Sequence, residues 1–246
     1  MIKAESLRKI FETRKRGQIV AVENASFEVS SGEIFGLLGL NGAGKTTTLR
    51  MLAGILKPVA GTAYIDNINI SEEPEKAKAK IGFMTGSTGL YGRLKAVEMI
   101  RYFGSLYGLS KDKSAKRAEE LMMILGLKEF AETKCDKLSS GNKQKVSIAR
   151  TMIHDPEAII LDEPTAGLDV ITSRALVEFI HSEKDRKKAI IFSTHVMHEA
   201  ELLCDRIGII HKGRMIAVGT PADLNKKSGC ANLDDTFVKL VGAKNA

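Results

Sequence analysis

Between Gly39 and Thr47 the chain reads GLNGAGKTT, with glycines at 39, 42 and 44, then a lysine and two threonines. Glycine bends where other residues cannot, so successive backbone N–H groups can turn inward on phosphate oxygens. The start of a following helix adds positive partial charge at the same point. Lys45 suits the β- and γ-phosphates of a nucleotide, and the Thr46 hydroxyl suits Mg²⁺. The spacing is the phosphate-loop pattern G-x-x-x-x-G-K-[ST]. ATP contacts are therefore predicted at Gly39, Leu40, Asn41, Gly42, Ala43, Gly44, Lys45, Thr46 and Thr47.

A cradle of this kind needs a metal partner and a group that acts on water. AIILDEP supplies both: an apolar run ending in Asp162 carries a carboxylate to the C-terminal edge of a parallel sheet, where ligands of α/β proteins bind. Asp162 is placed to hold Mg²⁺ through water, and Glu163 to polarise the attacking water. A second apolar run, AIIFSTH, ends at His195, where it can hydrogen-bond the γ-phosphate and steady Glu163. His154, His181, His198 and His211 lack that position and read as bystanders.

A second anion-binding pattern lies downstream. LSSGNKQKVSIAR, from Leu138 to Arg150, has a small-residue turn, a glycine, polar residues and then a periodic apolar run. That is the form of a helix N-terminus suited to an anion, and it raises the question of why one chain should carry two.

The elements that must hold these groups alternate along the chain. AVENASFEV and IFGLLG read as strands, the second as a buried parallel one. KTTTLRMLAGIL has helical spacing through Leu49, Leu52 and Leu56 and stops before Pro58. GTAYIDN and KIGFMT are further short strands. From about residue 89 to 156 the pattern becomes helical, with Val97, Ile100, Phe103 and Tyr107 on one face and Ala118, Leu121, Ile124 and Leu125 on another. Strands return at AIILDEP and KKAIIFSTH around a helical TSRALVEFIHSEK, followed by a hairpin turning at Lys212-Gly213 and a tail of one or two short helices.

At 246 residues, 43% of them hydrophobic, the chain can bury a full core. No stretch approaches the roughly 18 uncharged apolar residues that span a bilayer. The charged N-terminal stretch reads as neither a secretory signal nor an anchor. Cys135, Cys204 and Cys230 are far apart without metal-ligand spacing, and read as reduced thiols. The net charge of +7 suits an acidic partner: nucleic acid, anionic headgroups or a nucleotide. The lysines of EKAKAK, KDKSAKR and EKDRKK are interleaved mostly with acids, as on a solvated face, and tryptophan is absent. Nucleic acid is not expected as a partner.

Taken in order, these motifs resemble the nucleotide-binding subunit of an ATP-binding cassette (ABC) transporter over nearly the whole chain. The resemblance implies an α/β fold: a P-loop NTPase (RecA-like) core with a mostly parallel sheet, an N-terminal antiparallel β subdomain and an inserted helical subdomain. It implies one domain over 1–246, with the core at about 1–88 and 157–225, the helical part at about 89–156 and a tail at 226–246. In that family an LSGGQ-type signature opens a helix in the inserted part, and LSSGN occupies its place, making Ser139, Ser140, Gly141 and Asn142 contacts to a partner subunit's ATP. The resemblance also implies a D-loop at Asp169, the switch role for His195 and an adenine-stacking aromatic at Phe11. Two subunits then pack head to tail, as a homodimer or with a paired ABC subunit. They sandwich two Mg-ATP and drive a separate integral-membrane permease from the cytoplasmic face of the membrane.

Two places depart from the family pattern. Thr85 and Gly86 stand where it has proline and the metal-binding glutamine, leaving Ser87, Thr88 or water to complete the shell. Ser140 and Asn142 replace a glycine and a glutamine of the signature. TGLYGRL, YFGSLYGL and SSGNKQKVSIAR look like the ATPase subunit of Nat-type exporters, related to drug exporters, so the expected cargo is Na⁺ or drug-like. The competing readings are a soluble cassette acting on nucleic acid or ribosomes, and a regulatory cassette that binds ATP without hydrolysing it. One uninterrupted cassette argues against the first, and Lys45, Asp162, Glu163 and His195 together argue against the second.

Overall fold

The computed structural model describes residues 1–13, 17–85 and 89–242. In chain order the elements begin with β1 (Ile2–Thr13), β2 (Gly17–Val29), β3 (Ile34–Leu38), α1 (Lys45–Leu52), β4 (Ala60–Ile65), β5 (Ile68–Asn69), α2 (Pro74–Ala79) and β6 (Ile81–Thr85). The middle of the chain is helical: α3 (Ala96–Leu106), α4 (Lys111–Ile124) and α5 (Ser140–Met152). Then follow β7 (Ala158–Asp162), α6 (Val170–Asp185), β8 (Ala189–Thr194), α7 (Met197–Leu203), β9 (Arg206–His211), β10 (Arg214–Gly219), α8 (Pro221–Ser228) and α9 (Leu233–Gly242).

The strands form one mixed sheet in the order β5-β4-β1-β2-β10-β9-β3-β8-β7-β6. β9, β3, β8, β7 and β6 run parallel, whereas β5, β4, β1 and β2 are antiparallel. The two halves meet where β2 pairs with β10 through Arg214 and Asn24. β3, β7 and β8 are buried at every residue, as parallel strands covered on both faces must be. Alternation divides their side chains between two cores. Ile159, Leu161, Ile190 and Phe192 face the core shared with α3–α7 and α9. Ala158, Ile160, Ala189 and Ile191 face the core shared with α1 and the antiparallel half.

Register decides where the site can form. Leu38 pairs with Thr194, Asp162 with Ser193, and Thr85 with Asp162, so four strands end at one edge. The loop after each strand therefore opens onto the same place.

Some boundaries differ from the sequence pattern, and the backbone gives the reasons. α1 stops at Leu52 rather than Leu56 because Gly54 turns left-handed, at φ 65°. The N–H of Ile55 then returns to the Arg50 carbonyl and that of Gly54 to Met51, the paired bonds of a Schellman stop. Ile124, expected on the buried face of its helix, is exposed at the end of α4, and Met122 is buried instead. Lys212 and Gly213 both take positive φ, 47° and 76°, the form of a two-residue hairpin turn. No helix among the described residues is long and apolar enough to cross a membrane.

Candidate active site

The loop between β3 and α1 is shaped by contacts that leave no room for side chains. Gly44 sits at φ 110°, and a Cβ there would stand 2.7 Å from the Ala21 carbonyl oxygen. No side chain caps the first amides of α1, so they face the loop's concavity. Leu40, Asn41, Gly42, Gly44, Lys45, Thr46 and Thr47 line a cavity of about 240 Å³ with Ile19, Val20 and Ala21 of β2. Gly39 lies just behind it: its carbonyl accepts a 2.7 Å bond from the Lys45 ammonium. The Ala43 carbonyl takes the Gly213 amide, pinning the loop to the β9–β10 turn.

Lys45 is 5% exposed and shared. Its Nζ lies 2.7 Å from the Gly39 carbonyl, 3.4 Å from that of Leu40, and 3.2 Å from Glu163 Oε1. Nδ1 of His195 lies 3.2 Å from the same Glu163 oxygen. Burial pushes the Glu163 carboxyl up, but the bonds from Lys45 and His195 outweigh it, leaving the group below its ordinary value and ionised. Glu163 takes φ 49°, a left-handed backbone that costs a non-glycine residue about 1–3 kcal/mol. Its amide donates to both the carbonyl and the Oγ of Ser193, each at 3.1 Å, which holds it there.

Asp162 is buried at the tip of β7, and its Oδ1 accepts a 2.6 Å bond from Ser193 Oγ. Asp162, Glu163 and Thr46 line a second cavity of about 410 Å³, together with Asn41, Arg50, Thr85, Gln144 and Ala166. A hydroxyl and a carboxylate facing one space are the hard oxygen donors that Mg²⁺ selects, so the residues present fit that ion beside a phosphate held by the loop.

The signature-like residues lie elsewhere. Ser139 caps α5 by accepting the Asn142 amide at 3.2 Å, Ser140 is exposed, and Gly141 is buried with Thr172 close against it. None of Ser139, Ser140, Gly141 or Asn142 lines either cavity at the phosphate loop. Asp169 caps α6: the Thr172 amide and hydroxyl donate to it at 2.9 and 2.8 Å and hold its carboxyl below the ordinary range. Phe11 also lies outside the cavities; its pairing partner across the β1–β2 ladder, Ile19, lines the smaller one. Gly86, Ser87 and Thr88 fall outside the described residues. His154 is a structural histidine, stacked on Tyr107 with ring centroids 3.6 Å apart and pushed down to about 4 by burial.

Several contributors escape a motif reading. Ser193 serves both Asp162 and Glu163, and its signal was its place two residues before His195 in FSTH. Gln144, one turn into α5, donates to the Pro164 carbonyl at 2.5 Å and so touches the residue after Glu163. Its partner is fixed only by the fold.

Residues 22–166 match the model of the ABC transporter family. The ABC transporter ATP-binding protein NatA of Bacillus subtilis is 40% identical over 243 residues, covering 98% of this chain and 98% of its own. The linearmycin resistance ATP-binding protein LnrL of the same organism is 38% identical over 98% of this chain and 74% of its own. Among solved structures, the ATP-binding cassette MJ0796, in a dimeric post-hydrolysis state bound to ADP and Pi, matches with a TM-score of 0.82. It is 28% identical and covers 89% of this chain and 98% of its own.

Proposed function

Because this chain belongs to the ABC transporter family and is an ATPase of it, we propose that it energises an exporter as one half of a head-to-tail pair. The observation that carries this is the separation of two phosphate-binding features. Lys45, Glu163 and His195 meet within 3.2 Å, while Ser139 to Asn142 cap a helix outside that cavity. Each signature segment is then free to close over the ATP of a second copy or a paired ABC subunit. The dimeric state of the MJ0796 cassette supports that assembly.

In this reading Lys45 moves its ammonium from the Gly39 carbonyl toward the β- and γ-phosphates. Glu163, ionised, orients a water and takes its proton as the oxygen attacks the γ-phosphorus, and the bond to the β-phosphate oxygen breaks to leave ADP and phosphate. His195 donates to Glu163 and holds it toward the water. Thr46 and Asp162 would hold Mg²⁺, which would supply charge neutralisation when bound. Loss of the γ-phosphate removes the charge that joins the two halves. Phe11 and Ile19 flank the adenine, and Asp169 sets the partner-facing end of α6.

The resemblance to exporter ATPases supports Na⁺ or a drug-like molecule as cargo, and the linearmycin resistance named for LnrL favours the drug-like class. A separately encoded permease would hold the chain at the cytoplasmic face. The test is Glu163→Gln with saturating Mg-ATP on a sizing column: turnover is abolished and a dimer accumulates. A variant that stays monomeric sinks the paired arrangement.

A further inference from the structure

Glu163 and His195 sit on different loops, after β7 and β8, and their contact is long at 3.2 Å. A shift of a few tenths of an ångström in either loop would break it. Glu163 is also held in a left-handed backbone, so the direction of its side chain depends on what anchors the residues after it. Those anchors converge on one carboxylate. Thr165, two residues beyond Glu163, donates its hydroxyl to Glu199 Oε2 at 2.9 Å. Thr194, one residue before His195, donates to the same oxygen at 2.9 Å. The Thr194 hydroxyl also accepts the Val196 amide at 3.0 Å, so both sides of His195 are tied to it. Thr165 and Thr194 are 7% and 3% exposed.

Glu199 is the third residue of α7, where a glutamate ordinarily reaches back to the amide that opens its own helix. Here it turns to hydroxyls from two other segments. We propose that Glu199 is a positioning residue for ATP hydrolysis, a single acceptor that fixes the spacing between the Glu163 and His195 loops. It borders a hollow of about 200 Å³ that Glu163 and His195 also line, and it reaches their loops through Thr165 and Thr194. Its role is geometric: an amide oxygen in the same place accepts the same two hydroxyls, so the charge of Glu199 is not what matters. The inference rests on the hydrolytic roles proposed above for Glu163 and His195.

Single-turnover hydrolysis at saturating Mg-ATP by the full chain tests it, with ATP affinity measured in parallel. Glu199→Ala lowers the rate constant about 30-fold, as misplacement of a reacting group does, and leaves the ATP Kd within about twofold. Glu199→Gln restores the rate to within about threefold of the parent, which a need for the charge would not allow. Thr165→Val with Thr194→Val reproduces the alanine loss from the other end of the same bonds, and serves if Glu199→Ala does not fold. A Glu199→Ala rate within about threefold of the parent overturns the proposal, as does a glutamine variant as slow as the alanine one. Glu163→Gln is run alongside: if it still turns over, the pairing of Glu163 with His195 is what fails.

Discussion

The edge where β3, β7 and β8 end and the N-terminus of α5 both carry the sequence pattern of an anion site, but they are finished differently. At the sheet edge the central groups already have counterparts: Lys45 reaches Glu163 and two carbonyls, Glu163 reaches His195, and Asp162 holds Ser193. At α5, Ser139 serves only its own helical turn, and Gly141 meets Thr172. The first region is preorganised within one chain. The second has no counterpart of that kind among its contacts with the described residues, and the paired arrangement proposed above assigns binding to the first region alone and turnover to both.

The sharpest way to break that division is at Lys45. Its ammonium is buried among acceptors at the phosphate loop, and charged hydrogen bonds of this kind contribute about 1.5–3 kcal/mol each. Lys45→Ala should therefore weaken ATP binding by about two orders of magnitude, read by nucleotide titration of the isolated chain. An unchanged Kd would take Lys45 out of the site.

A smaller effect with opposite selectivity is expected at Ser139. Aspartate caps a helix as well as serine and is favoured by the dipole there, so Ser139→Asp should keep the melting temperature. It also sets a negative charge against the phosphate of a second chain. Turnover should fall about tenfold, roughly 1.4 kcal/mol, while one chain's own affinity for ATP stays unchanged. If affinity and turnover fall together, the two regions serve the same nucleotide, and the division is wrong.

The sheet-edge site was legible from sequence because its chemistry is local: GLNGAGKTT, LDEP and STH each place their reactive residues at a strand end, and parallel register brings the ends together. Legibility failed where partners come from distant segments. Nothing in the spacing of Gln144 or Glu199 announces a bond to Pro164 or to Thr165, because those depend on how α5 and α7 lie against the loops. The end of α1 differs from the apolar period for a local reason. The apolar period runs on through Leu56, but left-handed Gly54 ends the helix first. Of the four-strand antiparallel half, β2 and β4 were visible in AVENASFEV and GTAYIDN, whereas β1, β5 and the single point of pairing with β10 through Arg214 and Asn24 were not.

The smallest expected effect concerns proton linkage, and it separates the sheet-edge site from α5 without nucleotide. Burial raises the Glu163 carboxyl, the bonds from Lys45 and His195 lower it by more, and the net position is below the ordinary glutamate value of about 4.3. A carboxyl depressed in the folded state binds its proton more readily when unfolded. Its stabilisation is thus fully present above the unfolded value and is lost as pH falls through the folded one. Glutamine at 163 has no such linkage. The melting temperature of the parent chain relative to Glu163→Gln should accordingly decline between about pH 5 and the acid range below the ordinary glutamate value. The offset itself can have either sign, because the left-handed backbone at 163 strains both residues equally while only the glutamate carries charge. What matters is the slope. If Glu163→Gln declines toward acid as steeply as the parent, the linkage lies outside the Lys45–Glu163–His195 cluster, and Ser139→Asp, read against the parent, shows what a carboxylate added at a helix N-terminus contributes.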